Sequence, residues 1–281
     1  MTAYKFTEDW VGDKIKQWES IVLPHFGDRL VNIAEIGVFE GRMTTWMLDN
    51  LNAFNYFAVD PFSAEYEHSI IGDEDREHVR EKLEKAKDVF ASNVKIAINN
   101  RFDKAKAEGR TRPVKAEPGT MRPDKGPKGE DLFYESGDYV LLDDGEGNII
   151  YENGEPRYLE AETSDGHPLP RTFTHIPKPA VEWFQTSVPP NPLRKPYLDL
   201  IYVDGSHVAS LVLEDLVCAW PRLRPGGIMV MDDYLWKGPR ADYADAEQYQ
   251  PKIAIDAFLR IYGFRMKVLH KGRQVFVEKV R

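Results

Sequence analysis

The sequence predicts an α/β protein built on a doubly wound, mostly parallel sheet, and three observations carry that prediction. Residues 198–203 and 228–231 are short apolar runs of the kind that parallel sheets bury on both faces. Between them Val208, Leu211, Val212, Leu216, Ala219 and Trp220 recur at a period of about 3.6, the mark of a helix packed on that sheet. Both runs end in acid, at Asp204 before Gly205 and Ser206 and at Asp232 with Asp233, so polar groups gather at the carboxyl ends of two strands.

In open parallel sheets ligands bind outside those ends, which places Asp204, His207, Asp232 and Asp233 in one crevice. Oxygen ligands of this kind suit Mg²⁺ or a similar hard cation. The alternative is that Asp204 and Asp232 merely turn the chain, as Asp does in many loops.

The N-terminal third repeats the alternation. Residues 7–22 carry Trp10, Val11, Ile15, Trp18, Ile21 and Val22, an amphipathic helix stopped by Pro24 and expected only to pack. A first strand from Val31 runs through Glu35 into a turn bearing Gly37 and Gly41, then a helix over 42–51. The turn admits a ligand close to the backbone. It is not the Gly-x-Gly-x-x-Gly of dinucleotide sites, and no phosphate-cradling Gly-x-x-x-x-Gly-Lys-Ser/Thr is present. Glu35 would repel a pyrophosphate and attract a cationic ligand, which favours a cofactor without phosphates. A second strand, 56–60, ends at Asp60, about 20 residues after the turn, where a carboxylate can hold ribose hydroxyls.

A charged helix is expected over 74–91, with Val79, Leu83, Ala86 and Phe90 on one face, and a third strand over 93–98. Residues 103–178 then read as an insertion: a Pro, Gly and Lys-rich stretch followed by a small antiparallel meander over 138–142, 148–152 and 157–161. A cover over the acceptor, a contact in a homo-oligomer and decoration are its alternatives. His78, His167 and His175 read as surface residues, with contact to substrate from a covering segment the alternative for His167 and His175. After the central strand, helix and strand come a polar loop over 237–249, a helix through Ile253, Ala257 and Ile261, and two closing strands, 266–270 and 274–280.

Composition bounds the function. A net charge of −9 argues against bulk nucleic-acid or anionic-membrane binding. The single Cys218 excludes an internal disulfide and reads as a core thiol. With no signal peptide and no apolar run approaching about 18 residues, a cytoplasmic protein is expected.

On these residues the chain resembles the class I S-adenosylmethionine-dependent methyltransferases, and more narrowly the metal-dependent sugar O-methyltransferases of macrolide and aminocoumarin biosynthesis. The motifs are 35–42 with Thr44, Ala58 to Phe62, Val203 to His207, Leu223 to Gly227, and Asp232 to Tyr234, with 254–259 and the final hairpin. The resemblance implies a seven-stranded Rossmann-like sheet whose last strand is antiparallel. It also implies S-adenosyl-L-methionine held by Glu35, Gly37, Val38, Glu40, Gly41, Thr44, Asp60 and Ser206. By the same analogy Asp204, Asp232 and Asp233 bind the metal, His207 is the general base with Asp204 as its alternative, and the partner is a small molecule with a hydroxyl. Asn99 and Asn100 replace the acidic segment that usually follows the third strand. A scaffold without turnover and a metal-dependent hydroxylase on the same fold are the rival expectations.

Overall fold

A computed structural model describes residues 3–63, 76–107, 111–113, 151–152, 155–162, 168–170, 172–186, 197–237 and 246–281. The N-terminal segment runs without regular structure to α1 (Ile15–Gln17), continues through a π-helical turn, Trp18–Val22, and finishes as α2 (Leu23–Phe26). The expected helix is thus shorter at its start and passes Pro24. Leu23 N–H reaches back to Trp18 O at the change of register, and Pro24, which has no N–H to give, stands in the first turn of the new helix.

The main layer follows as β1 (Val31–Ile36), α3 (Arg42–Asn50), β2 (Ala53–Val59) and α4 (Arg76–Ala107). The expected strand at 93–98 is instead part of α4, a correction with a clear cause. Val94, Ile96 and Ile98 alternate as a strand would, but Phe90, Val94, Ala97 and Ile98 extend the helical stripe begun by Ala86, and all five are buried. Beyond α4, β3 (Thr111–Pro113), β4 (Tyr151–Glu152), β5 (Glu155–Glu162) and β6 (Pro168–Pro170) pair antiparallel around β5. The strand expected at 138–142 lies outside the described residues, as does His167.

The third parallel strand is β7 (Thr172–Ile176), which the sequence reading had placed inside the insertion. It pairs with β2, so the main sheet resumes there. Then come α5 (Ala180–Thr186), β8 (Leu198–Val203), α6 (Ala209–Ala219), β9 (Leu223–Met231), α7 (Pro251–Tyr262), β10 (Met266–Lys271) and β11 (Val275–Lys279). Seven strands form one sheet in the order β10-β11-β9-β8-β1-β2-β7, with β11 antiparallel to both its neighbours and β9, β8, β1, β2 and β7 paired in parallel.

Each face of the sheet has its own core. Trp18, Met47, Tyr56, Phe90 and Phe276 fill one side. Trp183, Leu216, Trp220 and Phe258 fill the other, with Cys218 packed at its margin. Every residue of β8 is buried, including Asp199, whose carboxylate is tied to Arg224, to Asn32 N at 2.8 Å and to Asn32 Nδ2 at 3.2 Å. The strand order reverses between β1 and β8, the place where doubly wound sheets open a crevice for ligands.

Candidate functional site

Two polar groupings face each other across that reversal. The first is the turn after β1. Gly37 has φ +81° and Gly41 φ +77°, conformations that side chains resist. Asp60, at the end of β2, accepts Val38 N at 2.9 Å and Phe39 N at 3.2 Å on Oδ2, and Phe62 N at 2.7 Å on Oδ1. Phe39 and Phe62 beside these bonds have φ +46° and +47°, conformations uncommon for residues with a side chain.

Beneath the turn, Glu35 is buried, and its Oε2 accepts the hydroxyls of Thr44 and Tyr56, each at 2.5 Å. Burial, with Asp60 adding to it, pushes the Glu35 carboxyl up to about 8 despite those two donors. Glu40 is also buried and faces the N-terminal segment, accepting Thr7 N at 2.7 Å and Thr7 Oγ1 at 2.5 Å. Glu35, Glu40 and Thr44 therefore brace the turn from inside, while Asp60, Phe62 and the loop backbone stand at the carboxyl ends of β1 and β2.

His175, expected on the surface, lies on β7 with Nε2 3.0 Å from Asp60 O, and its ring packs against Phe62 and Phe90 with centroids 5.5 Å away in each case.

The second grouping is acidic. Asp204, Asp232 and Asp233 each present an oxygen within 4.8 Å of the others, a cluster able to hold a metal ion. The Tyr202 hydroxyl lies between two carboxylates, 2.7 Å from Asp204 Oδ2 and also against Asp232 Oδ2, with one proton to share between them. Gln274 Nε2 donates to the same Asp232 oxygen at 2.8 Å, and its Oε1 accepts the indole N–H of the fully buried Trp18 at 2.9 Å. The cluster is thus anchored to the hydrophobic core through neutral donors.

Asp233 has φ +57°, which turns its carboxylate to His207: Oδ2 is 2.9 Å from Nε2. The imidazole packs on Trp236 at a centroid distance of 4.1 Å. Ser206 uses its hydroxyl oxygen locally, accepting Val208 N at 3.1 Å.

One charge in the cluster was not anticipated. Lys14 Nζ lies 2.8 Å from both oxygens of Asp232 and 3.7 Å from Asp233 Oδ1. Burial opposes the ammonium charge, but Asp204, Asp232 and Asp233 outweigh it and hold Lys14 well above its ordinary pKa. Burial and the two neighbouring aspartates push Asp204 far up, with Lys14 and Tyr202 pulling the other way. For Asp233 burial also raises the pKa, yet the His207 bond and Lys14 prevail and leave it below the ordinary carboxylate value.

The structure brings Asp204, His207, Asp232 and Asp233 together as the sequence suggested, and gathers Gly37, Val38, Gly41 and Asp60 around the neighbouring turn. Lys14, Tyr202 and Gln274 escaped the sequence reading. Tyr202 alone left a signal, being two positions before Asp204 on a strand and so on the same face.

Among the described residues no helix is long and apolar enough to cross a membrane. No curated protein matches the sequence. Of solved structures, the O-methyltransferase from Bacillus cereus in complex with SAH is similar at a TM-score of 0.46 and 13% identity, over 98% of this chain and 84% of that one. TomG from Streptomyces achromogenes, solved with SAM, is similar at 0.45 and 13%, over 96% and 80%. MycE of the mycinamycin pathway, in complex with Mg, SAH and mycinamycin VI, is similar at 0.43 and 14% over 99% of this chain, which spans 51% of MycE. A family profile described as a methyltransferase domain matches residues 34–234, from the strand before the glycine turn through Tyr234 just past the acid cluster. On that match, which takes in both groupings and most of the chain, the protein belongs to the methyltransferase-domain family.

Proposed function

We propose that the protein is an S-adenosylmethionine-dependent O-methyltransferase that uses a divalent cation of the Mg²⁺ type and acts on a hydroxyl of a small molecule, a sugar or another natural product. The observation that carries this reading is the convergence of Asp204, Asp232 and Asp233 within 4.8 Å, with His207 on Asp233, beside the turn of a methyltransferase domain. The donor set fits a hard cation: three carboxylates, no sulfur, and a position that already attracts an ammonium. When bound, the methyl donor supplies an activated methyl group and the cation acidifies and orients the acceptor hydroxyl.

The chain's own residues do the rest. Asp60 meets ribose hydroxyls with a carboxylate whose direction three backbone amides fix. Gly37, Val38 and Gly41 offer backbone to the methionine part, while Glu35, Glu40 and Thr44 hold that backbone in shape. Ser206 closes the loop on the opposite side. Asp233 would help hold the cation with Asp204 and Asp232, while its Oδ2 fixes the imidazole of His207. With Nε2–H donated to Asp233, Nδ1 of His207 receives the acceptor's proton. In this reading the chain is one catalytic domain, and residues 103–178 are an insertion whose last part returns to the sheet as β7.

Transfer of a labelled methyl group from S-adenosylmethionine to a panel of vicinal diols, with Mg²⁺ or with EDTA, tests the reading alongside calorimetry of the donor. Donor binding in both conditions with transfer only in Mg²⁺ is the expected result. Absence of binding by S-adenosylmethionine and S-adenosylhomocysteine would overturn the cofactor; transfer that survives EDTA would overturn the metal.

A further inference from the structure

Lys14 reaches the acid cluster from the other end of the chain, and its ammonium stands where a cation belongs. It bridges both oxygens of Asp232 at 2.8 Å and faces Asp233 Oδ1 at 3.7 Å, with only 11% of its side chain exposed. A divalent ion drawing on the same oxygens would stand within a few ångströms of that ammonium. Two like charges so close in a site poor in water repel strongly, so they cannot share it.

The residues before Lys14 tether it to the domain. Lys5 and Asn93 exchange hydrogen bonds of 3.0 and 2.7 Å, Thr7 is held by Glu40, and Trp10 stacks on Phe39 at 5.0 Å while staying 54% exposed. Lys14 is held locally by two turn bonds, its N–H to Val11 O at 2.8 Å and its carbonyl accepting Gln17 N at 3.2 Å, while its ammonium sits at the end of a long flexible stem.

We propose that Lys14 is a built-in counter-cation that competes with the divalent metal for Asp204, Asp232 and Asp233, so that metal loads only when the Lys14 side chain leaves. This rests on the metal reading given above. Without metal, the ammonium keeps three converging carboxylates together; with metal, it moves into solvent. The metal's apparent affinity is lowered by the fraction of molecules in which Lys14 occupies the site.

Calorimetric titration of EDTA-treated full-length protein with Mg²⁺ alone, in wild type, Lys14→Met and Lys14→Met/Asp232→Asn, tests this. One site should bind at least about tenfold more tightly in Lys14→Met than in wild type, and be lost in the double variant. Equal or weaker binding in Lys14→Met would overturn the competition while leaving the metal reading intact. No binding in any form would remove the metal reading and the competition with it. Because Lys14→Met leaves the carboxylates without their counter-charge and can fail to fold, the wild type supplies a second measurement. Amine acylation followed by mass spectrometry should show Lys14 protected in EDTA and labelled several-fold more at saturating Mg²⁺. Unchanged labelling with metal bound would equally overturn the proposal.

Discussion

The two halves of the site manage their carboxylates in opposite ways. Around the glycine turn, Glu35 and Asp60 are met by neutral donors drawn from nearby: two hydroxyls for Glu35 and three backbone amides for Asp60. At the acid cluster, neutral donors from Tyr202 and Gln274 leave three carboxylates still converging, and the Lys14 ammonium faces two of them. The first half is a finished structure that a ligand leans against. The second is an unfinished one that a ligand, or Lys14, completes. That difference matches their proposed tasks, since holding a donor needs a rigid surface whereas activating an acceptor needs concentrated charge.

Asp232→Asn breaks the comparison most sharply. Metal-dependent turnover should fall at least about 100-fold while S-adenosylmethionine binds within about threefold of wild type, because the two halves satisfy their carboxylates separately. Parallel loss of both in kinetics and calorimetry would show that the halves are not separate. His207→Ala comes next, with kcat lowered roughly 10²- to 10⁴-fold and the acidic limb of its pH profile removed, the acceptor's KM staying close to wild type. A rate profile of unchanged shape would take the proton-accepting role away from His207.

Asp60→Ala strips three backbone amides of their acceptor in one step. Stability in urea should drop by roughly 1–3 kcal/mol and donor affinity by about tenfold, with Mg²⁺ affinity unaltered.

Glu35→Gln should have the smallest effect, and its sign depends on pH. With the folded value near 8 against 4.5 in an ordinary environment, native Glu35 keeps a proton that the unfolded chain gives up. Its contribution is therefore complete below about 4.5 and declines as pH climbs toward 8. The glutamine variant should flatten wild-type stability across that interval and gain roughly 1 kcal/mol over wild type at its upper end. Identical pH-stability curves would place the charge of Glu35 outside the folding equilibrium.

The sequence disclosed what is local. The β8, α6 and β9 unit was legible because its periodicities are clean, and Asp204, Asp232 and Asp233 because each ends a buried strand. Alternation misled where Val94, Ile96 and Ile98 mimic a strand inside a helix whose stripe had started at Ala86. Thr172 to Ile176 was missed because five residues between proline-flanked stretches carry little pattern of their own; pairing with β2 makes them a strand. Lys14 could not be read at all, since its partner lies 218 residues away and no spacing rule spans that distance.

Gly37 gives the two halves a common wall. A methyl group added there would sit 2.2 Å from the carbonyl oxygen of Asp204, and Asp204 N–H is already bonded to Ile36 O at 2.8 Å. Main chain rests on main chain, with no side chain between to yield. In the proposed reading the gauge from methyl donor to acceptor is therefore set by main chain against main chain, and a single carbon at position 37 would shift both halves together.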